Sequence, residues 1–317
     1  MQTPEPRPDI PLERVQPIVD RLKANLKATA VVPLRGGNIS DLYEIQVSEG
    51  PGVVLKVYPD QLHWKMKKEL LVYGWLQAQT DLPTPRILAF DDSKELLPQT
   101  FVVMSKLEGQ SLKATEASLS EVELHAAYAE MGRMLKTIHG LPMASFGYIG
   151  ADGIMEAYPT NEAYMAHQFR KKINAFIELG GDADLADRML GHVAVTATLL
   201  STCKSPVLCH DDFHAGNIMA SKDDGGTWKV TGLLDVENAI AGDPLIDIAK
   251  TLAYSVGDNK AKREGFFHGY GPIERPDWEK TVDLYRLYHA LEYWVWASSN
   301  GQTPPPWLIK DMQRLVV

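Results

Sequence analysis

Toward its N-terminus the chain steps between apolar and polar residues with a period of two. "LYEIQV" (42–47) alternates as a strand does when one face is buried. "TAVVPL" (29–34) is short and apolar, and "VVLKVY" (53–58) is a continuous β-branched run. Gly36-Gly37-Asn38 and "SEGPG" (48–52) separate these segments with turn residues in hairpin positions. The spacing then lengthens. "LHWKMKKELLVYGWLQAQ" (62–79) brings Leu62, Met66, Leu70, Tyr73 and Leu76 near one face of a helix. "RILAF" and "TFVVMSK" read as two further strands joined by the turn-rich "DDSKELLPQ". Residues 28–105 therefore predict a five-stranded antiparallel sheet with one helix inserted after the third strand. A proline-rich arm over 1–13 and a helix over 12–27 precede it.

Beyond Gly109 the pattern is helical. "SEVELHAAYAEMGRMLKTIHG" opens with Ser120 and Glu123 in capping-box spacing and closes on Gly140. Further helices are predicted over 161–179, 184–201, 244–255, 277–299 and 306–315. "NIMAS" and "WKVTGLLD" flank "KDDGG" as one small β-hairpin. Met131 with Met134, and Leu284 with Leu287 and Leu291, are core stripes. The expected fold class is α+β and bilobal. A sheet lobe spans 1–105, with its arm and helix, and a larger helical lobe spans 106–317.

Composition narrows the partners. The chain has 317 residues, 45% hydrophobic and 23% charged, with a net charge of −9. An acidic balance without a basic cluster argues against nucleic-acid binding. No run reaches the ~18 apolar residues of a membrane span, and the N-terminus lacks the apolar segment of a signal peptide. Cys203 and Cys209 form no Cys-x-x-Cys pair and read as inert thiols of a reduced, cytoplasmic protein.

The polar residues concentrate in "VLCHDDFHAGNIM" (207–219). His210, Asp212 and Asn217 have the spacing H-x-D-x-x-x-x-N, and Asp235 follows the hairpin's second strand in "LLDVEN". The hairpin ends bring Asn217 and Asp235 together, as two oxygen ligands for Mg²⁺. Asp212, on the loop before them, is the candidate to face an acceptor hydroxyl and take its proton. That grouping suits phosphoryl transfer, which needs positioning and charge neutralisation more than covalent chemistry. Lys56 is the only cation inside the apolar run "VVLKVY", a costly place unless its ammonium meets an anion. Glu69 in the following helix is its expected partner, and together they would hold a nucleotide's phosphates. Backbone N–H groups around Gly36 and Gly37 would cover those phosphates.

Lys56, Glu69, "HDDFHAGN" and "LDVE", in this order, match the protein-kinase-like signature set. The finer pattern resembles the aminoglycoside phosphotransferase and choline kinase family. "CHDDFHAGNIM" is similar to that family's H-G-D-L-H-P-G-N-I loop. "LLDVENAIAGDPLIDIA" is similar to its I-D-W-E-x-A-x-x-G-D-P-x-x-D-L-A segment, and "TIHGLP" to its leucine-histidine helix end. The resemblance spans residues 34 to about 253. It implies a protein-kinase-like fold with ATP, or in some members GTP, in the cleft. It implies Asp212 as catalytic base, Asn217 and Asp235 on Mg²⁺, and Met104, Ser105 and Leu107 at a hinge meeting the adenine. His210 and His214 would scaffold the loop, and Asp243 and Asp247 would cap and anchor the helix that Pro244 begins. Asp211 stands where the family commonly has glycine, and a solvent-facing side chain is expected there.

A protein kinase fits poorly, because Asp235 and Gly242 are only seven positions apart and leave no room for an activation loop. A catalytically silent nucleotide-binding module would usually lose the lysine, the aspartate or a metal ligand, and all are present. The expected activity is phosphoryl transfer to a hydroxyl of a small polar or cationic acceptor: an aminoglycoside-like antibiotic, a choline- or ethanolamine-like alcohol, or a sugar. Asp211, Glu237, Glu292 and Trp296 are the candidate acceptor contacts, with Glu156 and Glu162 as further options.

Overall fold

The structure is a computed structural model that describes residues 9–23, 25–34 and 40–316. The turn at Gly36 and Gly37 lies outside the described residues. Helix α1 (Leu12–Leu22) stops well before residue 27: Lys23 is extended and Asn25 takes a left-handed backbone with φ 70°. Short polar residues such as asparagine tolerate that conformation and end helices there.

Strands β1 (Ala28–Pro33), β2 (Asp41–Val47) and β3 (Val53–Tyr58) follow, then α2 (His63–Gln79), β4 (Ile87–Asp91) and β5 (Thr100–Ser105). They form one five-stranded antiparallel sheet in the order β1-β2-β3-β5-β4, as the alternation predicts. Period two divides the sheet between two helices. Val53, Leu55 and Val57 of β3 pack with Phe101 and Val103 of β5 against Val15, Ile18 and Val19 of α1. Tyr58, Val102 and Met104 face Met66 of α2 on the other side. Cover on both faces explains why β3 and β5 read as continuous apolar runs. It also sends Lys56, on the Tyr58 face, toward α2.

The remainder is mostly helical. It contains β6 (Gln110–Ser111), α3 (Leu112–Thr115), α4 (Glu121–Ile138), β7 (Gly147–Gly150), β8 (Gly153–Ile154), α5 (Asn161–Glu178) and α6 (Ala183–Leu200). Then come β9 (Val207–Cys209), β10 (Ile218–Lys222), β11 (Trp228–Leu233), β12 (Ile240–Gly242), α7 (Leu245–Thr251), α8 (Lys260–Tyr270), α9 (Trp278–Ser299) and α10 (Pro306–Leu315). The capping box of Ser120 and Glu123 is present at α4. The β10–β11 hairpin gains β6 as a third strand, and a second small sheet runs β8-β7-β12-β9. The sequence reading anticipated the hairpin alone.

It also missed α8, whose Gly265 and Gly269 lower helix propensity. Those glycines are where α8 lies against α4. A Cβ on Gly269 would stand 1.8 Å from the Ala129 carbonyl oxygen, and one on Gly265 2.3 Å from that of His125. Only glycine permits so close an approach of two helix backbones. One apolar core joins α4, α5, α6, α7 and α9, and Val72, Tyr73 and Leu76 of α2 belong to it. Helix α2 thus packs on the sheet through Met66 and on the helical body through its second half. No helix among the described residues is long and apolar enough to cross a membrane.

Candidate active site

Strand β9 delivers the chain into the loop 210–217, and one helix grips that loop. Asp247 of α7 accepts hydrogen bonds from the backbone N–H of His210 (2.8 Å) and of Asp211 (2.7 Å). Lys250 donates to the Asp211 carbonyl at 2.7 Å, and Thr251 to the Phe213 carbonyl at 3.0 Å. Beyond Thr251 the helix widens into a π-turn (Leu252–Val256), where Ser255 Oγ accepts from the Ala215 N–H at 2.8 Å. The gripping residues are spaced i, i+3, i+4 and i+8, so one helical face holds successive backbone groups of the loop. Asp247 is fully buried and also meets His139 Nε2 at 3.0 Å. Burial opposes its charge, but His139 and His210 outweigh that and hold its carboxyl below the usual range. Asp243 does cap, accepting from the Leu245 N–H at 3.0 Å. Asp247 anchors the loop instead of its own helix.

The histidines orient the loop. His210 Nε2 donates to the Leu234 carbonyl at 3.0 Å while Nδ1 accepts from the Asp212 N–H at 3.3 Å. Those two bonds define a neutral tautomer, and burial lowers the His210 pKa in agreement. His214 Nδ1 accepts from the Gly216 N–H at 3.0 Å, leaving Nε2 3.6 Å from Asp212 Oδ2. Asp212 Oδ1 lies 3.2 Å from Lys250 Nζ. Burial would raise the Asp212 pKa, but Lys250 and His214 prevail and hold its carboxyl well below the usual carboxylate range. Asp212 is therefore a fixed anion with low intrinsic basicity.

Opposite the loop, Lys56 is 6% exposed and ringed by acids. Its Nζ is 2.9 Å from Glu69, 3.3 Å from Asp235 and 3.0 Å from Glu237. Burial would neutralise it; Glu69 and the other acids raise its pKa and keep it charged. Tyr58 donates to the same Glu69 oxygen that Lys56 meets. Asp235 adopts a left-handed backbone, φ 62°, and its N–H donates to Tyr73 Oη at 3.1 Å.

Asn217 and Asp235 are brought together as the hairpin predicts, through the Leu234 N–H bond to the Asn217 carbonyl at 2.9 Å. The Asn217 amide nitrogen donates to the Asp212 carbonyl (3.0 Å) and carboxylate (3.2 Å), which leaves its side-chain oxygen available as a ligand. Together with the partly exposed Asp235 carboxylate, it makes an all-oxygen donor set of the kind a hard divalent cation such as Mg²⁺ takes. At the other end of the cleft, Met104 is buried in β5 and Ser105 bonds Arg86 through both N–H and Oγ, at 2.9 Å each. Leu107 lies over Gly232 of β11, so the segment after β5 bridges the sheet to the hairpin.

The acceptor candidates fare differently. Asp211 does not face solvent: it is 8% exposed, with φ 57°, and its Oδ1 is buried without a hydrogen-bond partner among the described residues. Glycine adopts that left-handed backbone without strain. Burial and Glu292 push its carboxyl well above the usual range. Glu237 is not open to an acceptor, since each of its oxygens meets a lysine at 3.0 Å, Lys56 on one and Lys65 on the other. Glu292 is likewise occupied, 3.1 Å from Lys172 and 4.0 Å from Lys250. Trp296 packs on Tyr293, which also meets Tyr254 and Trp307.

Lys250, Lys65 and Lys68 are the residues that sequence reasoning passed over. A signal for the first existed: Asp247, Lys250, Thr251 and Ser255 make a polar stripe at helical spacing in an otherwise apolar segment. Lys65 and Lys68 gave none, because charged residues on an amphipathic helix ordinarily face water.

Against known proteins, the chain is 28% identical to the N-acetylmuramate/N-acetylglucosamine kinase of Caulobacter vibrioides over 223 residues, covering 69% of this chain and 58% of that one. It spans a little over half the length of the curated relatives it matches. Among solved structures, the aminoglycoside phosphotransferase APH(4)-Ia superposes with a TM-score of 0.74 at 19% identity, covering 96% of this chain and 98% of that one. A thermostable mutant of it, in ternary complex with ADP and hygromycin B, gives 0.73 at 19% identity over 95% and 97%. At that identity the likeness establishes the protein-kinase-like fold. The phosphotransferase enzyme family (APH) matches residues 30–283, which is most of the chain and includes Lys56, Glu69, Asp212, Asn217 and Asp235, and this chain belongs to that family.

Proposed function

We propose that this chain is an ATP-dependent small-molecule kinase that transfers the γ-phosphate to a hydroxyl of a small polar acceptor. The observation that carries this reading is the placement of Asp212. It is a carboxylate fixed by Lys250 and His214, hydrogen-bonded to Asn217, and opposite a buried lysine already ringed by acids. Lys56 holds the nucleotide's α- and β-phosphates, with Glu69 fixing its position. Asn217 and Asp235 hold Mg²⁺, which when bound neutralises phosphate charge. The segment Met104, Ser105 and Leu107 borders the adenine, and the solved relative that binds ADP supports ATP as the donor.

The low basicity of Asp212 suits this chemistry. In a loose phosphoryl-transfer transition state the acceptor needs orientation first and gives up its proton late. Asp212 accepts a hydrogen bond from the hydroxyl and aims its lone pair along the transfer line. As the acceptor oxygen bonds to the γ-phosphorus, the bond from that phosphorus to the ADP oxygen breaks and ADP leaves; the acceptor hydroxyl becomes acidic and its proton passes to Asp212.

The test is ADP release with ATP and Mg²⁺ over a panel of aminoglycosides, choline, ethanolamine, sugars and amino alcohols. Asp212→Ala is expected to lower kcat by ~10²–10⁴ and to leave nucleotide affinity unchanged. An Asp212→Ala protein with wild-type turnover would refute the assignment. Nucleotide binding by the wild type without turnover on any acceptor would favour a silent module.

A further inference from the structure

Lys68 is fully buried, and its Nζ has no hydrogen-bond acceptor among the described residues. Its close electrostatic companion is the ring of Tyr148, whose centroid lies 3.8 Å from the ammonium. Trp64 meets that ring edge-on at 6.1 Å. Burial, and after it the charge of Lys65, lower the Lys68 amine to about 7. A leucine or methionine would fill the same space without this penalty. An amine buried without an acceptor regains its charge most readily where an anion arrives with a ligand.

The direction of Lys68 says which ligand. One residue along α2 turns the side chain by about 100°, away from the Glu69–Lys56 pair and onto Tyr148 of β7. Tyr148 pairs with Ile240 of β12, and Ile240 with Cys209 of β9, immediately before the catalytic loop. The charges felt at Tyr148 are those of Asp211, Glu237 and Glu292. At Lys68 they are Lys65, Asp211 and Glu237. The neighbourhood is thus the Asp211 side of Asp212, while the nucleotide side already has Lys56. Of the acids first expected to meet a cationic acceptor, Glu237 is paired with Lys56 and Lys65 and Glu292 with Lys172, while burial and Glu292 hold Asp211 toward its neutral form. Lys68 is left as a buried amine without a hydrogen-bond acceptor among the described residues.

We propose that Lys68, held over Tyr148, binds an anionic group on the acceptor, so that the preferred acceptor is a hydroxyl compound carrying a carboxylate or phosphate, such as a sugar acid. This rests on the phosphotransfer reading. Lys68 is then a specificity residue. It contacts the part of the acceptor that does not react, and Asp212 contacts the part that does.

The experiment compares matched acceptors with and without the acid group: N-acetylmuramate against N-acetylglucosamine, glucuronate against glucose, glycerate against glycerol. ADP release is measured for wild type, Lys68→Met and Lys68→Arg. The wild type is expected to favour the acid of at least one pair. Lys68→Met should raise KM for that acid about tenfold or more, the size of one lost charge-assisted contact. KM for the neutral partner and for ATP should stay within about twofold, and Lys68→Arg should recover part of the loss. Equal losses on acid and neutral members, or a loss confined to ATP, would overturn the proposal; the latter would assign the lysine to the γ-phosphate. So would a wild type that favours the neutral members throughout.

Calorimetric titration of the wild type with the same pairs, without nucleotide, gives a readout independent of turnover and of the variants' folding. Acid binding should take up protons onto Lys68, whose surroundings are Lys65, Asp211, Glu237 and Tyr148, and neutral partners should not. Proton-linked acid binding without any turnover would keep the Lys68 site and sink the kinase reading. Turnover with no acid binding and no acid preference would do the reverse.

Discussion

Replacing Asp247 with asparagine keeps its volume and removes the charge that holds the loop 210–217. Asp247 is fully buried and receives three donors, the N–H groups of His210 (2.8 Å) and Asp211 (2.7 Å) and His139 Nε2 (3.0 Å). An amide offers one oxygen and turns an NH₂ toward a group that also donates. The loss of a charge-assisted bond, about 1.5–3 kcal/mol, adds to about 1–3 kcal/mol for an orphaned buried donor. The total, ~2.5–6 kcal/mol, brackets the ~3–5 kcal/mol cost of breaking a buried ionic contact. It is a large share of the ~5–15 kcal/mol that holds a domain together. Urea unfolding should show the midpoint falling at constant slope. Turnover should fall by ~10² as Asp212 loses its fixed position, with nucleotide affinity retained.

The same variant tests the pH dependence. His139 and His210 hold the Asp247 carboxyl below the usual range despite burial. Its folded pKa is therefore below its unfolded one, so the stability it contributes is complete above pH ~4 and drains away as pH falls toward the folded value. The stability gap between wild type and Asp247→Asn should be constant near neutrality and narrow below pH ~4. A gap under about 1 kcal/mol, or one equally wide at pH 7 and pH 3, would mean that the Asp247 charge does not hold the loop.

Lys250→Met removes the ammonium 3.2 Å from Asp212 and the donor to the Asp211 carbonyl. The acid limb of the kcat–pH profile should move upward as Asp212 loses its principal cation, and Lys250→Arg should move it less. Asp235→Asn should weaken Mg²⁺-dependent ATP binding about tenfold or more, measured by nucleotide titration with and without EDTA, while Mg²⁺-free binding changes little. Gly269→Ala should cost at least ~1–3 kcal/mol in unfolding experiments because its Cβ would stand 1.8 Å from a backbone oxygen of α4, with ATP affinity of the folded fraction unchanged.

The five-stranded sheet, the helix after β3 and most of the later helices follow from periodicity that survives in a single chain. Lys56, Glu69, Asp212, Asn217 and Asp235 stood out as candidates because their residue types are costly or unusual where they stand. The sequence alone also allowed Asp211 to point outward and left α8 unread. Strands β6, β7, β8, β9 and β12 have four residues or fewer, too short to express a period.

Tertiary structure decided what depends on groups distant in the chain. Lys65 and Lys68 lie on the charged side of α2's pattern. They are buried because Glu237 and Tyr148, far along the sequence, fold against that side. Asp247 reads locally as part of a helix start and acts as the clamp of a loop 36 residues earlier. Gly265 and Gly269 disfavour a helix by propensity, yet α8 forms because only glycine lets it press against α4. Local sequence determined which elements form and which side chains can do chemistry. Long-range packing determined which charges meet, since a charge is tolerated inside only where another part of the chain supplies its partner.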